Sequence, residues 1–142
     1  MKIDFENRGH LKINDVTISQ KLTQLEFEQL FFSFSFSKLR VKRSTIYRLQ
    51  TDEIWLNYLV ESIAAEFASD RCRKVSLSLV GPEDKSIFSV LDLRVSNYLQ
   101  MVLSKPGKEN GKSQLIFEFD FFKISIFYDF KVSSPILEIF FK

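Results

Sequence analysis

Residues 115–142, LIFEFDFFKISIFYDFKVSSPILEIFFK, decide the fold class. Leu115, Phe117, Phe119 and Phe121 alternate with Ile116, Glu118 and Asp120; Ile124, Ile126, Tyr128 and Phe130 then alternate with Lys123, Ser125 and Asp129. A third apolar run, 136–141, follows Ser133-Ser134-Pro135. Successive side chains of a strand point to opposite faces, so a period of two marks strands with one buried face. Consecutive runs of this kind predict an antiparallel meander. Phe121-Phe122 and Phe140-Phe141 would put rings on both faces of a strand, so both faces of this sheet need cover. Either helices of the same chain or another chain supplies it, and the chain's own helices are the expectation.

Upstream segments offer those helices. Thr23-Gln24-Leu25-Glu26 matches the capping-box pattern and predicts a helix over 24–32, with Leu25, Phe27, Leu30 and Phe31 mostly turned to the core. Ser86 is a candidate N-cap for a second helix, in which Ile87, Leu91, Val95, Tyr98 and Val102 recur at helical intervals before Pro106-Gly107 ends it. Between them, Val75, Leu77 and Leu79 alternate with Ser76 and Ser78 as a strand stopped by Gly81-Pro82. Near the N-terminus, 2–6 and 11–18 predict a hairpin around Asn7-Arg8-Gly9-His10, its second strand bent at Asn14-Asp15.

Residues 52–69 support two readings. Trp55, Leu59, Ile63 and Phe67 lie at the spacing of an amphipathic helix capped by Asp52, while Ile54, Leu56, Tyr58 and Val60 alternate as a strand. Helical spacing extends over the longer span, so a helix is expected. The fold class that results is α+β: a mainly antiparallel sheet with a C-terminal three-stranded meander, packed by two or three helices in one domain over 1–142.

Composition narrows the function classes. A chain of 142 residues, 45% hydrophobic and 27% charged, can bury a core without disulfides or metal. Its 16 Phe far outnumber four Tyr and one Trp, and rings without a polar handle belong mostly in that core. A net charge of +2 is too small to argue for nucleic acid or an anionic membrane. The single Cys72 excludes an internal disulfide and the cysteine-based zinc motifs. The start, Met-Lys-Ile-Asp-Phe-Glu, reads as a strand rather than a secretory signal, and no apolar run approaches the ~18 residues of a membrane span. The expected compartment is the cytoplasm.

Catalytic signatures are missing. The sequence has no P-loop, G-x-G-x-x-G, G-x-S-x-G or H-E-x-x-H. His10 is the only histidine and falls in a predicted turn. Cys72 lies among Arg71, Arg73 and Lys74, charges that favour a thiolate, yet one such thiol without a spacing motif reads as a half-buried structural cysteine. Glu118 and Asp120 would share a strand face with Asp129 across from them, a spacing that solvation alone produces. Neither catalytic residues nor a cofactor or metal are assigned, although a small carboxylate-dependent hydrolase remains an alternative. Binding is the expected activity. The most basic stretch, SKLRVKRSTIYRLQ, carries Lys38, Arg40, Lys42, Arg43 and Arg48 interleaved with Leu39, Val41 and Ile46. These five are a solvated strand-and-loop face and the candidate docking patch for an acidic partner. No RNP, helix-turn-helix or KH signature accompanies them, so nucleic acid is not expected.

The order of elements resembles that of small bacterial immunity proteins of contact-dependent inhibition and other polymorphic toxin systems. Leu22-Thr23-Gln24-Leu25-Glu26-Phe27 is similar to the helix start of those proteins. Tyr128-Asp129-Phe130-Lys131, followed by the apolar run 136–141, is similar to their ending. The resemblance implies a cytoplasmic, non-catalytic protein that binds and neutralises one cognate toxin domain, for instance a nuclease. It also implies strands, not a helix, over 52–69. A monomer or weak homodimer is expected, with a homodimeric adaptor joined through its apolar sheet as the alternative.

Overall fold

The computed structural model describes residues 2–6, 10–56, 58–80, 93–110, 114–129 and 134–142, with 93–96, 128, 129 and 134 described by backbone alone. Strands β1 (Ile3–Phe5), β2 (Leu11–Ile13) and β3 (Val16–Ile18) form a small antiparallel sheet. Helix α1 (Gln24–Leu30) leads into β4 (Phe36–Val41), β5 (Ser44–Trp55), β6 (Tyr58–Ala68) and β7 (Arg71–Val80). Helix α2 (Leu93–Leu103) precedes β8 (Lys108–Glu109), β9 (Gln114–Glu118), β10 (Phe122–Asp129) and β11 (Ser134–Phe141). The second sheet has eight strands in the order β4-β5-β6-β7-β11-β10-β9-β8, every neighbouring pair antiparallel. The molecule is therefore mostly sheet, with two helices among the described residues.

The C-terminal meander forms as its alternation requires. Phe117, Ile124, Ile139, Val75, Ala65, Tyr47 and Lys38 stand opposite one another in a row across the large sheet. Leu115, Ile126, Leu137, Leu77, Ile63, Leu49 and Phe36 make the adjoining row on the same face. Most of these side chains are buried, and this face is the core face. Aromatic contacts identify what covers it. Phe27 of α1 lies 5.0 Å from the Tyr47 ring and 5.6 Å from Phe67. Trp55 meets Phe5 of β1 at 5.8 Å and Tyr98 of α2 at 5.7 Å. The Tyr98 hydroxyl also donates to Asp4, tying α2 to the small sheet. The opposite face presents Ile116, Ser125, Glu138, Ser76, Ala64, Arg48 and Ser37 in one row, largely small or polar groups that tolerate water.

Several expectations are corrected. Residues 52–69 are strand, the end of β5 and nearly all of β6. A spacing of four is a multiple of two, so a stripe at 55, 59, 63 and 67 suits a strand as well as a helix. A bulge between Val60 and Ser62 then resets which residues face inward, leaving Leu59 outward and Val60 and Ile63 buried. Residues 11–18 are two strands rather than one bent strand. Asn14 and Asp15 have φ of 51° and 66°, the backbone of a tight primed turn between β2 and β3. The strand expected to carry Phe119 and Phe121 stops at Glu118, and the chain turns through 119–121, where the Phe119 N–H donates to the Phe122 carbonyl at 3.0 Å. Phe121 is exposed at that turn, so only Phe122 enters the core. The start of the second predicted helix, around Ser86, lies outside the described residues.

Helix α1 begins where the capping pattern places it. The Thr23 Oγ1 accepts from the Glu26 N–H at 3.2 Å and donates to Glu26 Oε1 at 3.1 Å. The Gln24 N–H donates to Asp70 Oδ1 at 2.9 Å, which anchors the helix to the β6–β7 turn. Gly107 packs under β9: a methyl placed there would stand 2.7 Å from Leu115 Cγ and 2.9 Å from Phe117 Cζ. Both neighbours are buried and have little room to retreat. Gly107→Ala is expected to cost about 1–3 kcal/mol, read as a lower urea midpoint at unchanged slope.

Candidate functional site

The large sheet ends in strands of unequal kind. At one end β8 is only two residues long and offers little edge. At the other, β4 runs for six residues with all but Phe36 exposed. Sheet edges are templates for further pairing, and this is the long one. It carries its own protection, because Lys38 and Arg40 alternate with Leu39 and Val41, which are 59% and 43% exposed.

A tight hairpin builds the edge. Val41 pairs with Ser44 across the two-residue turn Lys42-Arg43, in which Lys42 has φ of 54°. So short a turn closes only if Val41 and Ser44 exchange both hydrogen bonds. Alternation then turns the amides and carbonyls of Leu39 and Ser37 toward β5, opposite Ile46 and Arg48. Those of Phe36, Lys38 and Arg40 point away from the sheet.

The five basic residues read from the sequence do not share one surface. Lys38 and Arg40 project on the core-face side of the edge, opposite Tyr47 and Thr45, and Lys42 and Arg43 form the turn. Arg48 sits on the other face, between Ser37 and Ala64. Arg71, taken in the sequence only as a neighbour of Cys72, falls on the same face as Arg48: Val41, Ser44, Ala68 and Arg71 stand in one cross-strand row. Strand spacing puts the ends of that row about 14 Å apart. Only strand register brings Arg71 there, so no sequence pattern marks it.

Among the described residues, Lys38 is the one member of the set with a defined anion. Its Nζ lies 3.2 Å from Glu28 Oε1 and 5.5 Å from the centre of the Tyr47 ring. Tyr47 is wholly buried, and its hydroxyl donates to the same Glu28 oxygen at 2.7 Å. Glu28, on α1, thus fastens the helix to both β4 and β5. Burial raises the Tyr47 phenol, with the Glu28 bond adding to it. Its bonds from Tyr47 first, and Lys38 second, hold the Glu28 carboxyl below its ordinary value. A carboxylate depressed in the folded state adds stability above its unfolded pKa and loses it as pH falls through the folded value. The stability difference between wild type and Glu28→Gln is therefore expected to shrink from about pH 5 downward, measured as urea midpoints across a pH series. Arg40, Lys42 and Arg43 are exposed and make no ion pair among the described residues.

The other candidates are placed apart. His10 is half-buried, its ring 5.9 Å from Phe122. Cys72 is 1% exposed, faces the core opposite Phe67, and its thiol is pushed up to about 12 by burial. Such a thiol is not a nucleophile at neutral pH, despite the surrounding charges. Iodoacetamide is expected to leave native protein unmodified and to label Cys72 once the chain is unfolded, as mass spectrometry will show. Glu118 and Asp120 do not share a strand face. Glu118 ends β9 opposite Lys123, while Asp120 lies in the turn. Lys142 donates to Glu118 Oε2 at 2.7 Å and lowers its pKa. The Asp129 side chain lies outside the described residues. Among the described residues no group of three or more His, Cys, Asp or Glu is placed to hold a metal ion. No described helix is long and apolar enough to cross a membrane.

Comparison with protein-family models, with curated proteins and with solved structures gave no match in any of the three.

Proposed function

We propose that the chain is a protein-binding domain of the immunity type, which occupies one toxic partner domain in the cytoplasm and blocks it without chemistry of its own. The observation that carries this reading is the β4–β5 hairpin. Arg40, Lys42 and Arg43 project from a single exposed edge without an intramolecular ion pair among the described residues. Arginine beside exposed apolar side chains suits an anchoring surface, because it combines planar hydrogen bonding with packing area. The complementary surface is acidic. The resemblance of 22–27 and 128–131 to immunity proteins supports the same reading, and the cytoplasm is where such a partner acts.

Growth is the direct test. Co-expression with the C-terminal domain of the protein encoded immediately upstream is expected to restore growth that this domain alone arrests, and the two are expected to copurify. Absence of both rescue and copurification overturns the proposal.

A further inference from the structure

We propose that β4 receives an extended acidic segment of the partner as an added strand, so that the partner continues the eight-stranded sheet. The inference rests on the docking role given to this hairpin and specifies how the docking is made. Two sets of groups on β4 converge on it. The backbone donors and acceptors of Phe36, Lys38 and Arg40 point outward from the sheet, as the Val41–Ser44 pairing requires. Between them they offer a ladder to any chain that lies alongside. The side chains then set what that chain is. On the core-face side it meets Lys38 and Arg40, with Lys42 at the end; on the other it meets Leu39 and Val41. A strand that alternates carboxylates with apolar residues satisfies both sides at once.

Charge also decides against a second copy of this chain. In an antiparallel pair whose core faces stay on the same side, residues opposite each other share parity. Centring two β4 strands on Leu39 sets Lys38 against Arg40; centring on Arg40 sets Arg40 against Arg40 and Lys38 against Lys42. Centring on Lys38 sets Lys38, already paired with Glu28, against its own copy and leaves Arg40 facing Phe36 with no acid opposite it. Like charges directly opposite are destabilising, so the edge repels its own copy and accepts an acidic strand. The other edge of the sheet, at β8, is too short for the same role.

The test uses the full chain, labelled with nitrogen-15, and blocked synthetic peptides as probes. The first peptide alternates glutamate with valine, and the second is the same with the backbone amides of its central glutamates N-methylated, which keeps the charge and removes the donors that an antiparallel strand turns toward Lys38 and Arg40. The first is expected to shift the amides of Phe36, Lys38 and Arg40, to slow their exchange with solvent, and to bind about tenfold more tightly than the second. Equal affinity of both peptides at β4 overturns strand addition while leaving the basic edge as a docking surface. Shifts centred elsewhere, or no binding by either peptide, overturn it too, and the growth test then judges the docking role separately. A single-stranded oligonucleotide that moves the same amides with equal affinity overturns it in favour of an electrostatic, nucleic-acid surface.

Discussion

Tyr47→Ala is expected to lower the unfolding free energy by about 3–5 kcal/mol and the melting temperature by about 10–17 °C. Tyr47 joins α1, β4 and β6 to β5. Tyr47 is wholly buried on β5, its ring 5.0 Å from Phe27, 5.6 Å from Phe67 and 5.7 Å from Phe36. Truncation leaves a cavity bounded by three rings on α1, β4 and β6, held apart by the backbone around them. It also removes the hydroxyl that donates to Glu28 and, at 3.3 Å, to Gln24. Tyr47→Phe separates the two contributions. It keeps the ring and loses only the hydrogen bonds, one of them to a charged group that water reaches once freed, so about 1 kcal/mol is expected. Urea denaturation of the three proteins reads both effects. A loss for Tyr47→Phe as large as for Tyr47→Ala would mean that the polar fastening, not the packing, carries the site.

The second large effect falls on binding and spares stability. Arg40→Glu combined with Arg43→Glu reverses the charge of the hairpin at two exposed positions. Neither residue packs in the core or pairs with an acid among the described residues, so the unfolding free energy is expected to stay within about 0.5 kcal/mol of wild type. Affinity for the partner domain is expected to fall at least about a hundredfold, since each reversal both removes an attraction and adds a repulsion. Growth protection is expected to disappear with it. Arg48→Glu is the control: it makes one such reversal on the opposite face of the sheet from Arg40 and is expected to leave binding unaltered.

Particular residues show what a sequence can and cannot reveal here. The meander over β9, β10 and β11 is legible because each strand has one buried face, and burial writes itself into every second residue. Helix α1 is legible from Thr23 and Glu26, although the Glu26 carboxylate takes the Thr23 hydroxyl as its partner. Residues 52–69 mislead because four is a multiple of two, and because a bulge at Val60–Ser62 breaks the alternation that would have named them strands. Phe121 misleads for a different reason. Its apolar character suggests burial, yet it occupies an exposed turn, a place that hydrophobic spacing alone cannot mark. The candidate site is half-legible: the cluster of basic residues is plain in 38–48, but a two-residue turn divides it between faces. That Arg48 drops out, and that Arg71 falls on the same face as Arg48, shows only after the strands are paired.

The edge itself can be observed in the complex. Hydrogen–deuterium exchange of the chain, free and bound to the proposed toxic partner domain, reports which amides become protected. New protection is expected on 36–43, strongest at Lys38 and Arg40, with the small-residue face of β7 and β11 unchanged. Protection centred on Ser76, Ser78 and Glu138, with 36–43 exchanging as in the free protein, would contradict it.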